Sequence, residues 1–142
     1  MKTAAGTVAA GLAIMALLVS ACSPEKDYGK NFTKPNHAPV GYYDVAKYEN
    51  GVFTGVGWSA DKEDGAPLKR VLVYVDGKAI GEAQFIHYRL DVVGVYEKGQ
   101  WVKSGWQIDV RIPLDKGVHT SMALSFDSGD ALNVAFKEFK VE

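Results

Sequence analysis

Residues 69–83 read KRVLVYVDGKAIGEA. Val71, Val73 and Val75 recur with a period of two, so they share one face of an extended strand. Asp76-Gly77 follows at once. Both central residues of the favoured two-residue hairpin take positive φ, which Gly reaches freely and Asp tolerates. The stretch therefore reads as strand, tight turn, strand.

The same grammar extends on both sides. In GVFTGVGW (51–58), Val52, Thr54, Val56 and Trp58 fall on one side, expected to carry the bulk; Gly51, Gly55 and Gly57 occupy the other, where Phe53 is the exception. In WQIDVRI (106–112), Trp106, Ile108, Val110 and Ile112 should point inward. Gln107, Asp109 and Arg111 should point outward, with Asp109 and Arg111 forming a surface ion pair, and Pro113 ends the run because it cannot donate to a ladder. HTSMALSF (119–126) sets Met122, Leu124 and Phe126 on one face, and Ser128-Gly129-Asp130 makes a turn. In ALNVAFKEFKV (131–141), Leu132, Val134 and Phe136 alternate before the phase slips to Phe139 and Val141, which reads as a β-bulge. After the first 22 residues no stretch keeps a 3.6-residue apolar period for three turns. About seven short strands separated by turns predict an all-β sandwich, with a closed barrel as the alternative.

The N-terminus has a different character. Lys2 supplies one positive charge, and Thr3 to Ala21 carries none. A basic start, an apolar middle and small residues at the end form a secretory signal. Val19-Ser20-Ala21-Cys22 resembles the lipobox of bacterial lipoproteins, with an aliphatic residue and two small ones before the only cysteine. The resemblance implies that Cys22 is alkylated by diacylglycerol and becomes the acylated first residue of the mature chain. A lipid anchor at the bacterial envelope follows. Ser23 stands where, in this family, an Asp retains proteins at the inner membrane, so the outer membrane is the expected location, facing the periplasm or the cell surface. No thiol then remains for a disulfide, and the exported domain must be held by its core. Residues 23–40, polar with three prolines, read as a flexible tether. The expected organisation is a signal peptide over 1–21, a tether over 22–40 and one domain over 41–142. The full chain has 16 basic and 17 acidic residues, and losing Lys2 makes it one charge more negative. That balance gives no electrostatic basis for nucleic-acid binding.

Catalytic sets are missing from the sequence. It has no Gly-x-Ser-x-Gly elbow, and lipidation consumes the thiol. His37, His87 and His119 show neither HExxH nor HxH spacing. The expectation is a non-enzyme with no cofactor and no metal. His119 follows a glycine turn and should hydrogen-bond its backbone. DKEDG (61–65) and DSGD (127–130) place acidic oxygens in turns, as Asx turns do. The aromatic content between Phe85 and Trp106 is less ordinary. Trp101 sits in the polar, hairpin-like EKGQWVKSG (97–105) between Lys98 and Lys103. It is either an exposed recognition ring or a plug over an edge of the sandwich. Trp101, Tyr96 and Tyr88 are the candidate binding residues.

GVGWSAD (55–61), VLVYVDGKAIGEA (71–83) and GWQIDVRIPLDKGVHTSMALSFDSGD (105–130) resemble, in that order, bacterial immunoglobulin-like modules of exported proteins. Such modules show a Gly-Trp-x-x-Asp opening, a strand ending in Val-Asp-Gly, an Arg-x-Asp-Val stretch and a Gly-x-His-Thr turn. Arg89-Leu90-Asp91-Val92 and Gly117-Val118-His119-Thr120 stand in the last two places. The resemblance covers most of residues 51–142. It departs from the pattern between Phe85 and Ser104, which is richer in aromatics and Lys. It implies an immunoglobulin-like β-sandwich acting as a spacer or recognition module, and no reaction. The expected function is non-catalytic binding or structural support of another envelope protein. The alternative is recognition of peptidoglycan or a surface polysaccharide by exposed aromatics.

Overall fold

The computed structural model describes residues 36–142; the signal peptide, Cys22 and the tether as far as residue 35 lie outside the described residues. Seven strands follow in order: β1 (Val40–Glu49), β2 (Val52–Ala60), β3 (Arg70–Val75), β4 (Lys78–His87), β5 (Gly105–Arg111), β6 (Gly117–Phe126) and β7 (Leu132–Val141), with a helix α1 (Leu90–Tyr96) between β4 and β5. Asp76 and Gly77 join β3 to β4 at φ 48° and 79°. Asn50 and Gly51 join β1 to β2 in the same way, at φ 52° and 78°. Asn-Gly is as strong a hairpin signal as Asp-Gly, for the same steric reason.

The hydrogen-bonded order is β1-β2-β5-β4-β3-β6-β7, every pair antiparallel. β4 makes this a sandwich. Its first half, Lys78 to Ala83, pairs with β3, and its second half, Gln84 to His87, pairs with β5. One strand thus belongs to both layers, and β1 and β7, the two ends of the order, come side by side. β1 begins one residue inside the span expected as tether, and Pro39 before it is buried. Asn36 reaches Asp127 and His37 pairs with Glu63, so the folded part takes in the last tether residues.

The core joins Tyr43, Phe53, Val71, Val73, Val75, Trp106, Ile108, Phe139 and Val141 from both layers. Val71, Val73 and Val75 point inward as their period demands. Burying each such side chain contributes roughly 1.5–3 kcal/mol. Phe53 meets Phe139 across the sandwich at 5.1 Å, and Tyr43 meets Trp106 edge-on at 5.0 Å. The Tyr43 hydroxyl bonds Ser121 Oγ at 2.7 Å, and burial pushes its pKa up to about 12, so the phenol stays neutral.

Three sequence expectations reverse here. In β2 the inward face is Phe53, Gly55 and Gly57, while Val52, Thr54 and Val56 lie outward. The glycines leave space that Tyr43 and Trp106 fill: a Cβ at Gly55 would stand 2.5 Å from the Tyr43 hydroxyl. In β6 the buried face is Ser121, Ala123 and Ser125, and Met122, Leu124 and Phe126 lie on the half-exposed side. In β7 no bulge occurs; the register with β6 runs unbroken from Gly117–Val141 to Phe126–Leu132. Phe139 and Val141 face in, and Leu132, Val134 and Phe136 face out. The bulges lie instead at Tyr43/Val45, Val73/Tyr74 and Phe85/His87. Asp109 and Arg111 share the outward face but do not pair. Asp109 accepts from Thr54 and Gln107, and Arg111 donates to the Asn50 carbonyl.

Candidate functional site

The segment between β4 and β5, of which residues 97–105 were expected as a hairpin-like loop, forms α1 and then a 3-10 turn at Gly99–Trp101. The helix is 7 residues long, too short to show three turns of periodicity in sequence. Arg89 starts it: its amide donates to the Val102 carbonyl at 2.7 Å and its own carbonyl receives the Val93 amide at 3.1 Å. Val92 buries against a second apolar cluster of Trp58, Ala60 and Trp101.

Trp101 is the plug. Only 2% of it is exposed, and its Nε1 donates to the Asp61 carbonyl at 2.9 Å. The expectation of Trp101 as an exposed binding ring is thereby corrected. The 3-10 turn folds the indole over the end of the sandwich, 6.1 Å from Trp58 and 5.1 Å from Tyr96, and Lys98 rests on the ring at 5.5 Å. Asp61, whose backbone Trp101 holds, closes its own turn through Oδ1, which accepts the amides of Glu63 and Asp64. Asp127 does the same for Gly129 and Ala131, so both acidic stretches form Asx turns.

Tyr96 and Tyr88 do reach the surface, 46% and 71% exposed. They border two neighbouring hollows that share one charged cluster. The first, about 440 Å³, lies between β1 and α1 and is lined by Tyr42, Asp44, Trp58, Arg89, Asp91, Val95 and Tyr96 among others. The second, about 430 Å³, contains Asp44, Arg89 and Asp91 again, together with His87, Tyr88 and Gln107. Arg89 forks onto Asp91, Nε to Oδ1 at 2.8 Å and Nη2 to Oδ2 at 2.6 Å, while Nη1 donates to Asp44 at 2.6 Å. The fork suits the planar guanidinium and fixes its orientation.

The electrostatics follow from this fork. Asp91, chiefly through Arg89, is held at a pKa of about 2, and Arg89 is raised above its usual value, first by Asp91 and then by Asp44. Neither group of the Arg89–Asp91 fork can trade a proton near neutrality, so the pair is suited to holding a fixed charge in place and not to acid–base work. Two carboxylates on one guanidinium leave a net negative charge beside exposed phenol rings. Beside them, Thr54, Asp109, Gln107 and His87 form a chain of hydrogen bonds of 2.6–2.7 Å across the outer face of β2, β5 and β4. His87 Nε2 is the donor there, because Gln107 Oε1 can only accept.

Sequence reasoning singled out Tyr88 and Tyr96 but not Tyr42, Asp44 or Arg89, which line the same hollows. The signal was present: Tyr42 and Asp44 alternate with inward Tyr43 on β1, and Arg89-x-Asp91 is the spacing of the fork. Another cleft, of about 500 Å³, lies beside Asp76 and His119, but those two groups are engaged with each other.

No family model matches the chain, and no curated protein matches it. Among solved structures the chain is similar to the PKD1 domain of Vibrio anguillarum Epp, at 15% identity and a TM-score of 0.50. That alignment covers 76% of this chain and 98% of that domain. It is also similar to fibronectin(III)-like modules of Clostridium thermocellum CbhA, at 17% identity and a TM-score of 0.41, over 78% of this chain and 92% of that one. With the strand order above, the first likeness establishes an immunoglobulin-like β-sandwich.

Proposed function

We propose that the chain is a non-catalytic binding module of the bacterial envelope, anchored through lipid on Cys22 at the outer membrane, that docks another envelope protein on the surface around Arg89. The observation that carries this reading is the constellation itself. Tyr42, Tyr88 and Tyr96 are 60%, 71% and 46% exposed around a guanidinium already fixed by two carboxylates. Exposed tyrosines beside a preorganised arginine are the residues that dominate protein interfaces, because they supply area at little cost in rotamer freedom. The net negative charge favours a partner that presents Lys, Arg or hydroxyl donors.

A second reading is a glycan ligand. The flat tyrosine rings and the carboxylate acceptors of Asp44 and Asp91 also fit the apolar face and hydroxyls of a sugar. A photoreactive residue at position 96 of the anchored protein separates the two. A discrete protein adduct, absent when the photoreactive residue sits at position 49 on the far end of β1, supports the first. Retention on isolated peptidoglycan without a protein adduct supports the second. The anchor has its own test: radiolabelled fatty acid should enter the wild-type protein and not Cys22→Ala.

A further inference from the structure

The outer face of β3, β6 and β7 is apolar although it meets no other layer of the described fold. Pairing across the strands builds two rows, Leu72–Leu124–Val134 and Tyr74–Met122–Phe136. Phe136 is 63% exposed and Val134 is 42% exposed. Met122, Leu124, Val134 and Phe136 are among the side chains whose alternation, read from sequence alone, belongs inside a sandwich. A face that carries core chemistry and remains open marks an interaction surface.

We infer that this face packs against the same face of a second copy of the chain, sheet on sheet, forming a twofold dimer. Two features favour a second copy. The first is size. β6 and β7 are each 10 residues long. Three strands at about 4.8 Å spacing and about 3.3 Å per residue span roughly 14 by 30 Å, or roughly 400 Å² in projection. Side-chain relief brings the accessible area toward the roughly 800 Å² that a standard interface takes from each partner. Sheets pack face to face in just this way, about 10 Å apart.

The second feature is charge. At one end of the face Lys69 pairs with Asp130 at 2.8 Å and Arg70 lies over the Phe126 ring at 5.0 Å, while Glu82 stands at the β4 edge opposite Leu72. At the other end Lys140 is neutralised by Glu142 at 2.8 Å, which leaves Glu138. A twofold axis that reverses the strands sets the basic end of one copy against the acidic end of the other. An isologous contact of this kind closes on itself and does not grow into a filament. The rim has no surplus of basic residues that would favour an anionic bilayer.

Lys34–Glu142 is a compact unit that contains every strand and both apolar clusters, so it can be tested alone beside the full chain. Sedimentation velocity over a concentration series should show a monomer–dimer equilibrium in both. Phe136→Asp should weaken it by about 30-fold or more, as loss of a central aromatic does. Arg70→Glu should weaken it by about 10-fold, and Arg70→Glu with Glu138→Arg should recover most of the loss. Phe136 points away from the core, so the variants should keep their folds, which a melting curve checks. A monomer at all concentrations overturns the proposal, as does a dimer that Phe136→Asp leaves unchanged. A full chain that stays monomeric where Lys34–Glu142 associates would place its own N-terminal residues on the face and overturn it too. So would a monomeric Lys34–Glu142, which lacks Cys22, that sediments with phosphatidylethanolamine–phosphatidylglycerol vesicles.

Discussion

Gly57 on β2 lies against the ring of Trp106, its pairing partner on β5. A Cβ at Gly57 would stand 2.8 Å from Trp106 Cε2 and 2.5 Å from the Tyr42 carbonyl oxygen. Trp106 is 1% exposed and packed against Tyr43, so it cannot yield. Gly57→Ala should therefore cost about 3 kcal/mol, the upper end for overpacking. A chemical denaturation curve checks it; an unchanged midpoint would mean that the indole has room to move.

Trp101→Ala should destabilise the domain by about 3–5 kcal/mol, as loss of a large buried aromatic does. Trp101→Phe should recover most of the packing but leave the Asp61 carbonyl without its indole donor. The order of melting temperatures, wild type above Phe above Ala, tests the plug. Near-equal melts for all three would return Trp101 to the surface.

Two glycines should respond in opposite directions. Gly77 has open space around its Cβ position but sits at φ 79°, so Gly77→Val meets strain alone and should cost about 1–2 kcal/mol. Gly94 lies within α1, also with open space. Gly94→Ala should stabilise by about 0.4–1 kcal/mol by restricting the unfolded chain. Thermal melts of the two variants should fall on opposite sides of the wild type.

The expected role of His119 is half right. Its Nε2 donates to the Asp115 carbonyl at 2.7 Å, as a turn ligand should, and its Nδ1 meets the Asp76 carboxylate at 2.5 Å. Both partners only accept, so the ring carries both protons and a charge. Asp76, then Asp115, raises the His119 pKa, and His119 lowers that of Asp76. The histidine contribution is complete below about pH 6.5 and fades as pH rises through the folded value. The aspartate contribution is present above about pH 3.9 and fades as pH falls through its lowered value. The melting difference between wild type and His119→Gln should be greatest near pH 5.5 and shrink toward pH 9. A pH-independent difference would show that the ring acts by packing on Phe139 alone.

The hairpin at Asp76-Gly77 and the inward valines of β3 were legible because a turn and a period of two act locally. The facing of β2, β6 and β7 was not. Gly55 and Gly57 are buried because the rings of Tyr43 and Trp106 need their space, and that need appears only once the strands meet. In β6 and β7 the large apolar residues that alternate, Met122, Leu124, Val134 and Phe136, lie on the outer face, so alternation alone selects the wrong side. Tyr88 and Tyr96 were legible as surface aromatics, but the fork that joins them, Arg89 to Asp44, spans 45 residues. Only the fold brings those two groups together.

The central claim is that the surface around Arg89 is where the partner docks. The direct measurement is retention of Lys34–Glu142 on native envelope fraction, compared with Tyr42→Ala/Tyr96→Ala and with Arg89→Met, each normalised to folded protein. The account predicts that both variants melt as cooperative folded domains and lose retention by about 30-fold or more, the loss expected when interface anchors are removed. Folded variants retained as well as the wild type would contradict it and move the binding surface elsewhere on the sandwich.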